Sequence, residues 1–353
     1  MFSSRLRWDL EPNALARLLA RKRAGGVRIL DLTESNPTAA GIPYPAEEIL
    51  SALADDRSLV YEPSPRGLPA AREAVARYYA QRGLAVSPDR ILLTASTSEA
   101  YAYVFKLLAD PEDEILVPRP SYPLFEYLAS LEGLRTAQYP LVYHDGWFLD
   151  RDAMAAAVTP RTRAIVLVNP NNPTGSFLRR EELDWLERMN LPLVCDEVFA
   201  DYTFGPDAAR VETLVNVERT FCLSGLSKVA GLPQMKLGWI VAGPAAMEGL
   251  ELIADTYLSA GTPVQHALGR LLAAGEPVRA AIAARVRENL SVLRKTFEPL
   301  AVEGGWYATL RVPRIRGEEE WALELLDRHN VLVQPGFFYD FGQEAFLVLS
   351  LLP

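Results

Sequence analysis

Cysteine is nearly absent. The chain has two, Cys195 and Cys222, each inside an apolar run (PLVCD and TFCLS). That excludes a disulfide framework and reads as a pair of small, buried free thiols. Histidine is almost as rare, and His144, His266 and His329 show no ligand spacing, so a structural metal site is not expected. No apolar run approaches the length of a membrane span. Basic residues are in deficit, 36 against 45 acidic, for a net charge of −9. Such a balance gives no support to nucleic-acid binding, which needs a basic stripe. It leaves room for a local anion site, because a phosphate needs only a few donors. Internal repeats and low-complexity linkers are missing, and the 22 glycines and 26 prolines are spread too evenly to mark a hinge. The N-terminus (MFSSRLRWDLEPNALARLLARKRAGG) lacks an apolar signal core. It reads as an amphipathic helix with acidic residues near its start, which disfavours a transit peptide and makes the cytoplasm the expected compartment.

What is present is an ordinary globular composition over 353 residues, 49% hydrophobic and 23% charged, enough for one large domain or two ordinary ones. Short runs rich in Val, Ile and Leu recur at 27–33, 90–94, 114–118, 163–170, 191–197, 219–224 and 236–242. They show little period-2 alternation, which suits strands buried on both faces. Helical patterns at 67–83, 97–110, 122–133 and 180–189 lie between them. This alternation predicts an α/β fold, a mostly parallel sheet with helices on both faces. After about residue 245 come three helical stretches, 246–257, 263–273 and 276–300, then YATLRVP, NVLVQPG and the closing AFLVLSLL. This reads as a smaller α+β unit joined by the N-terminal segment. The expected division is 45–275 for the large unit and 1–44 with 276–353 for the small one.

Ligands of such sheets bind at the carboxyl ends of strands. Four strand ends carry polar groups. LLTASTSEAY opens a helix with Ser96, Thr97 and Ser98, either a phosphate seat or a plain helix cap completed by Glu99. VNPNNPTGS is a rigid turn presenting side-chain amides, among them Asn172. LPLVCDEVFADY ends an apolar strand on Asp196, which is either the N-cap of the next helix or a carboxylate with a task. CLSGLSKVAGLPQMKLGW places Ser227 and Lys228 in a loop after a strand, with Lys236 before the next. A lone loop lysine is usually just solvated; the other three strand ends are what single Lys228 out. Lysine forms a Schiff base with an aldehyde cofactor, and a carboxylate keeps that cofactor's ring nitrogen protonated. An amide meets the phenolic oxygen, while hydroxyls, N–H groups and a second cation hold a phosphate. The group that fits is pyridoxal 5′-phosphate.

On these motifs the sequence resembles the class I/II aminotransferases, fold type I pyridoxal-phosphate enzymes related to aspartate aminotransferase. NPNNPTG is similar to the family's Asn-Pro-x-Asn-Pro-Thr-Gly turn, DEVF to its Asp-Glu-x-Tyr, and SGLSKVAGLPQMKLGW to its Ser-Lys…Gly-x-Arg-x-Gly stretch, in the family's order. The resemblance implies that Lys228 carries the cofactor and moves the proton at the substrate's Cα. Asp196 pairs with the pyridine nitrogen, Asn172 bonds the phenolic oxygen, and Thr97 and Ser98, with Ser96 nearby, hold the phosphate. Tyr122, in PRPSYPLFEY, stacks on the ring. Tyr61 reaches the phosphate of a second subunit, which implies a homodimer. Asn36, in LTESNPT, approaches the substrate α-carboxylate.

The departures from the family pattern are Lys236 for the phosphate arginine, Phe199 for the tyrosine after Asp-Glu, and Gly225 for the serine three before the lysine. Val348 stands where the closing strand carries the arginine for the α-carboxylate. Arg311, in TLRVP, is the candidate to replace it, or is a solvated strand residue. The expected function is amino transfer from an α-amino acid to a 2-oxo acid, with a β-lyase or decarboxylase on the same scaffold as the alternative.

Overall fold

The computed structural model describes residues 3–6, 11–343 and 345–353. In chain order the elements begin with α1 (Ala14–Ala24), β1 (Leu30–Asp31), α2 (Ala46–Leu53) and α3 (Pro69–Gln81). The central stretch holds β2 (Ile91–Thr94), α4 (Thr97–Leu108), β3 (Glu114–Arg119), α5 (Phe125–Leu131), β4 (Arg135–Tyr143), β5 (Trp147–Leu149), α6 (Arg151–Ala157), β6 (Thr162–Val168), α7 (Arg180–Arg188), β7 (Leu193–Asp196), β8 (Thr220–Gly225), α8 (Leu226–Val229) and β9 (Gly238–Val241). The chain closes with α9 (Pro244–Tyr257), α10 (Thr262–Arg294), β10 (Tyr307–Arg311), α11 (Glu318–His329), β11 (Val331–Leu332), β12 (Gln334–Pro335) and β13 (Phe346–Ser350).

The main sheet has eight strands in the order β2-β9-β8-β7-β6-β3-β4-β5. β3, β4, β6, β7 and β8 pair in parallel, while β9 and β5 run against their neighbours. The apolar runs predict this architecture because each strand residue has a core to enter on whichever side it faces. Ile91, Leu93 and Cys195 pack with α3, α7 and α10 on one face. Leu92 and Val194 pack with α4, α5 and α9 on the other. The smaller unit has the antiparallel sheet β10-β13-β12 and the parallel pair β1-β11, covered by α1 and α11.

Three expectations change. The 27–33 run yields only β1, which pairs with β11 in the smaller unit instead of joining the main sheet. Its partner strand is two residues long, so the pairing cannot extend. The stretch 135–149 supplies two strands, β4 and β5, that the search for unbroken apolar runs does not find; RTAQYPLVY interleaves polar residues because it lies near the sheet edge. The separate helices expected at 263–273 and 276–300 are one helix, α10, continuous through Pro277 and across the expected 275/276 division. Packing on both sides overrides the local break: Leu268 and Leu271 before Pro277 and Val278 and Ile282 after it are fully buried. The amphipathic pattern expected over 1–26 falls partly outside the described residues and within them gives α1.

Candidate active site

The ends of five strands, β2, β3, β6, β7 and β8, open onto one cavity of about 260 Å³. Its lining includes Thr97 and Ser98 from α4, Asn172 from the turn after β6, Asp196 at the end of β7, and Ser227 and Lys228 from α8. Tyr122 and Phe125 come from the segment after β3, Phe199 from that after β7, and Ser35 and Tyr307 from the smaller unit. The sheet therefore gathers groups that lie far apart in sequence, as open α/β sheets do at their carboxyl edge.

The turn after β6 shows how local chemistry selects one amide. Asn169 donates to Val211 O at 2.7 Å and accepts from Leu178 N at 2.9 Å. Asn171 accepts from the Thr174 hydroxyl at 3.0 Å, and Gly175 takes the left-handed conformation (φ +69°) that closes the turn. Asn171 also donates to the Ser121 hydroxyl at 3.3 Å, so both asparagines are committed to protein partners. Asn172 is buried, yet its Oδ1 has no hydrogen-bond partner. A buried polar atom left open on a cavity calls for a ligand.

Asp196 Oδ1 accepts the Val198 N–H at 3.0 Å, and Oδ2 accepts the Tyr101 hydroxyl at 3.1 Å. Burial pushes the carboxyl up to about 6, against the pull of those two hydrogen bonds and of Lys228. Burial likewise lowers the Lys228 amine to about 8, with Asp196 opposing. The Lys228 Nζ lies over two aromatic rings that pack edge to face on each other, 4.7 Å from the Trp306 ring centre and 5.7 Å from that of Phe199.

At the start of α4, the Ser96 hydroxyl accepts the Glu99 N–H at 3.2 Å, and Glu99 reaches back to the Ala95 N–H at 2.6 Å. That is a helix cap, so the Ser96 side chain is occupied and does not line the cavity. Thr97 and Ser98 do line it, with the unpaired N–H groups of a first helical turn. Gly238 supports this seat from β9: an added Cβ would stand 2.9 Å from Ser96 C and 3.0 Å from Thr97 N.

Other expected residues lie apart. Tyr61 is 79% exposed and borders a separate cleft with Tyr103 and Ser259. Lys236 is exposed in a left-handed turn before β9, two residues from Gly238. Asn36 turns its Oδ1 onto the Thr38 N–H and hydroxyl, at 3.1 and 2.8 Å, and its neighbour Ser35 faces the cavity instead. Arg311 is not among the residues lining the cavity: it sits at the exposed end of β10, its guanidinium 5.9 Å from the Tyr143 ring centre and 5.8 Å from that of Phe346. At about 3.3 Å per strand residue, it is more than ~10 Å along the strand from Tyr307. Val348 is buried in β13 opposite Thr309.

Sequence reasoning missed Tyr101, Ser35, Trp306 and Tyr307. Tyr101 was the findable one. It lies four residues after Thr97 and three after Ser98, hence on the same helix face.

The profile of the family described as aminotransferase class I and II matches residues 27–350. The chain belongs to this family. Among curated relatives, the glutamate-pyruvate aminotransferase AlaA of Escherichia coli K12 is 32% identical over 256 residues, 69% of this chain and 63% of that protein. The chain thus spans under two thirds of the length of the first relatives it matches. The arginine–pyruvate transaminase AruH of Pseudomonas aeruginosa is 30% identical over 348 residues, 93% of this chain and 86% of its own. A crystal structure of an Escherichia coli aminotransferase superposes with a TM-score of 0.84 at 25% identity, covering 100% of this chain and 94% of that one.

The family depends on pyridoxal 5′-phosphate. The donor set in the cavity fits that group. It offers an amine of lowered proton affinity, a carboxylate, a buried amide whose Oδ1 has no partner and a helix N-terminus with two hydroxyls, all on one cavity.

Proposed function

We propose that the chain is an aminotransferase that moves the amino group of an α-amino acid to a 2-oxo acid. The observation that carries this reading is the shared cavity of Lys228, Asp196 and Asn172. Thr97 and Ser98 would hold the cofactor's phosphate, with Lys236 adding charge nearby. Tyr122 would cover the ring, Asn172 would meet its phenolic oxygen, and Asp196 would face its nitrogen. When bound, the cofactor supplies an electron sink for the pair left on the substrate's Cα. Lys228 takes and returns the proton at Cα, work for which its amine must be neutral, and the apolar walls of Phe199 and Trp306 favour that form. Phe199, Val198 and Leu124 add apolar surface to the cavity lining.

The reading includes two units, 45–275 and 1–44 with 276–353, connected by α10, and a homodimer in which Tyr61 reaches the partner's phosphate. The exposure of Leu59, Val60 and Tyr61 in one stretch supports such an interface. A cytoplasmic location accords with the sequence. Among the described residues no helix is long and apolar enough to cross a membrane.

Among the described residues lining the cavity none carries a guanidinium, and Ser35 and Tyr307 are neutral donors this chain offers to a substrate carboxylate. The test is a panel of amino acids offered to the pyridoxal-phosphate-loaded protein, with pyruvate as first acceptor because two relatives are named for it. Appearance of the donor's 2-oxo acid with alanine supports the reading. Release of ammonia, sulfide or carbon dioxide without amino transfer would replace it with lyase or decarboxylase chemistry.

A further inference from the structure

Asp196 is held by a residue outside the family motifs. Tyr101 is buried, 3% exposed, and its hydroxyl donates to Asp196 Oδ2 at 3.1 Å. Its ring is wedged between Phe105 and Phe125, with centroids 5.7 and 5.6 Å away, so the hydroxyl has little freedom to turn elsewhere. The other carboxylate oxygen takes the Val198 N–H. Each oxygen of Asp196 is thus fixed by one donor, and lone pairs remain for a further partner in the cavity.

Tyr101 also sits on the helix whose first turn carries Thr97 and Ser98, on the same face. One rigid element therefore offers donors for the phosphate end of a cofactor and braces the acid that would meet its far end. We propose that Tyr101 is a positioning residue, which holds Asp196 in the orientation and the ionised form that keep a proton on the cofactor's ring nitrogen. The inference rests on the reading that Asp196 faces that nitrogen.

The physical argument concerns where a shared proton resides. A hydrogen bond donated to the ionised carboxylate stabilises that form and lowers its affinity for the proton between it and the ring. Remove the donor, and the buried carboxylate gains on the ring nitrogen in the competition. The charged groups around Asp196 do not replace the lost donor. Lys228 acts on it from α8 as a charge at a distance, Tyr122 lines the same cavity as a hydroxyl that burial keeps neutral, and the neighbouring Glu197 is committed to the Leu214 N–H and the Thr213 hydroxyl. Tyr101 itself stays a neutral donor, because burial raises its hydroxyl well above the ordinary range.

The test uses holoenzyme loaded with pyridoxal phosphate labelled with nitrogen-15 in the ring, read by NMR. Wild-type protein should give the shift of a protonated pyridine. Y101F keeps the ring packing and should move the signal toward the unprotonated value, and its cofactor affinity should fall by about tenfold or more, as for loss of one hydrogen bond to a charged group. Thermal unfolding of the cofactor-free protein checks that Y101F is folded, and Y101L serves as a second variant in case it is not. D196N separates the two layers of the argument. If D196N moves the nitrogen signal and a folded Tyr101 variant leaves it at the wild-type position, the assignment of Tyr101 is wrong while that of Asp196 stands. If D196N leaves the signal in place, Asp196 does not face the nitrogen and both fall.

Discussion

The Nζ atom of Lys228 stands 4.7 Å from the centre of the Trp306 ring. The lysine follows β8 in the main sheet, and the tryptophan leads into β10 of the smaller unit. Trp306 is fully buried and also meets Phe199 and Tyr202 edge-on, at 5.3 and 5.1 Å between ring centres. One side chain therefore forms part of the apolar wall beside the amine and joins the segment before β10 to those after β7 and β8. W306A should cost about 3–5 kcal/mol of stability, the usual range for emptying a buried aromatic site, and W306F distinctly less. Urea unfolding of the cofactor-free proteins measures both. A W306A midpoint equal to wild type would mean that the ring contributes no packing energy despite its burial.

Lys228 should show its lowered proton affinity directly. Burial brings it to about 8 from the ordinary lysine value of 10.5. Only the neutral amine attacks an aldehyde, so uptake of pyridoxal phosphate by cofactor-free protein should speed up with rising pH and level off above about pH 8. An ordinary lysine would keep gaining up to its own higher value. D196N removes the anion that favours the ammonium form, so its midpoint should lie lower still. Stopped-flow absorbance records the profiles, K228A should show no covalent uptake, and peptide mapping after borohydride reduction should place the label on Lys228.

Gly238 offers a test of the phosphate seat that leaves every polar group in place. A methyl group there would press on the Ser96 carbonyl carbon and the Thr97 amide nitrogen, both backbone atoms that cannot swing aside. G238A should weaken cofactor binding, and inorganic phosphate should lose its ability to compete. Equilibrium titration of the cofactor-free variant provides the measurement. Unchanged affinity would place the phosphate somewhere other than the start of α4.

Arg311 should be dispensable. Its guanidinium lies over Tyr143 and Phe346, outside the cavity. R311A should keep its apparent amino-acid affinity within about twofold of wild type, the range expected of a surface substitution. Steady-state kinetics with the best donor decide the matter, and a tenfold loss would return Arg311 to the site.

Much of this molecule is legible in the chain before it folds. The turn NPNNPTG, the strand end at Asp196 and the loop at Lys228 each come directly after an unbroken apolar run, and strand ends on one side of a parallel sheet must converge. The smaller unit is less legible. Its strands β1, β11 and β12 are two residues long, too short to carry a period. The single helix α10 is hidden by Pro277, a break in local propensity that burial of the residues on both sides overrides.

Arg311 and Trp306 mark the limit most sharply. By residue type, the arginine is the reasonable partner for a carboxylate and the tryptophan is anonymous core. Sequence alone determined which chemical groups were available and which strand ends would present them, because burial on both faces of a parallel strand leaves a signature in composition. Only the tertiary structure decided which aromatic residues wall the amine, that Tyr101 braces Asp196, and that Arg311 points elsewhere. Those choices depend on the registry of β10 with β13 and on the packing of α4 against the sheet, contacts between residues far apart in the chain that leave no local pattern.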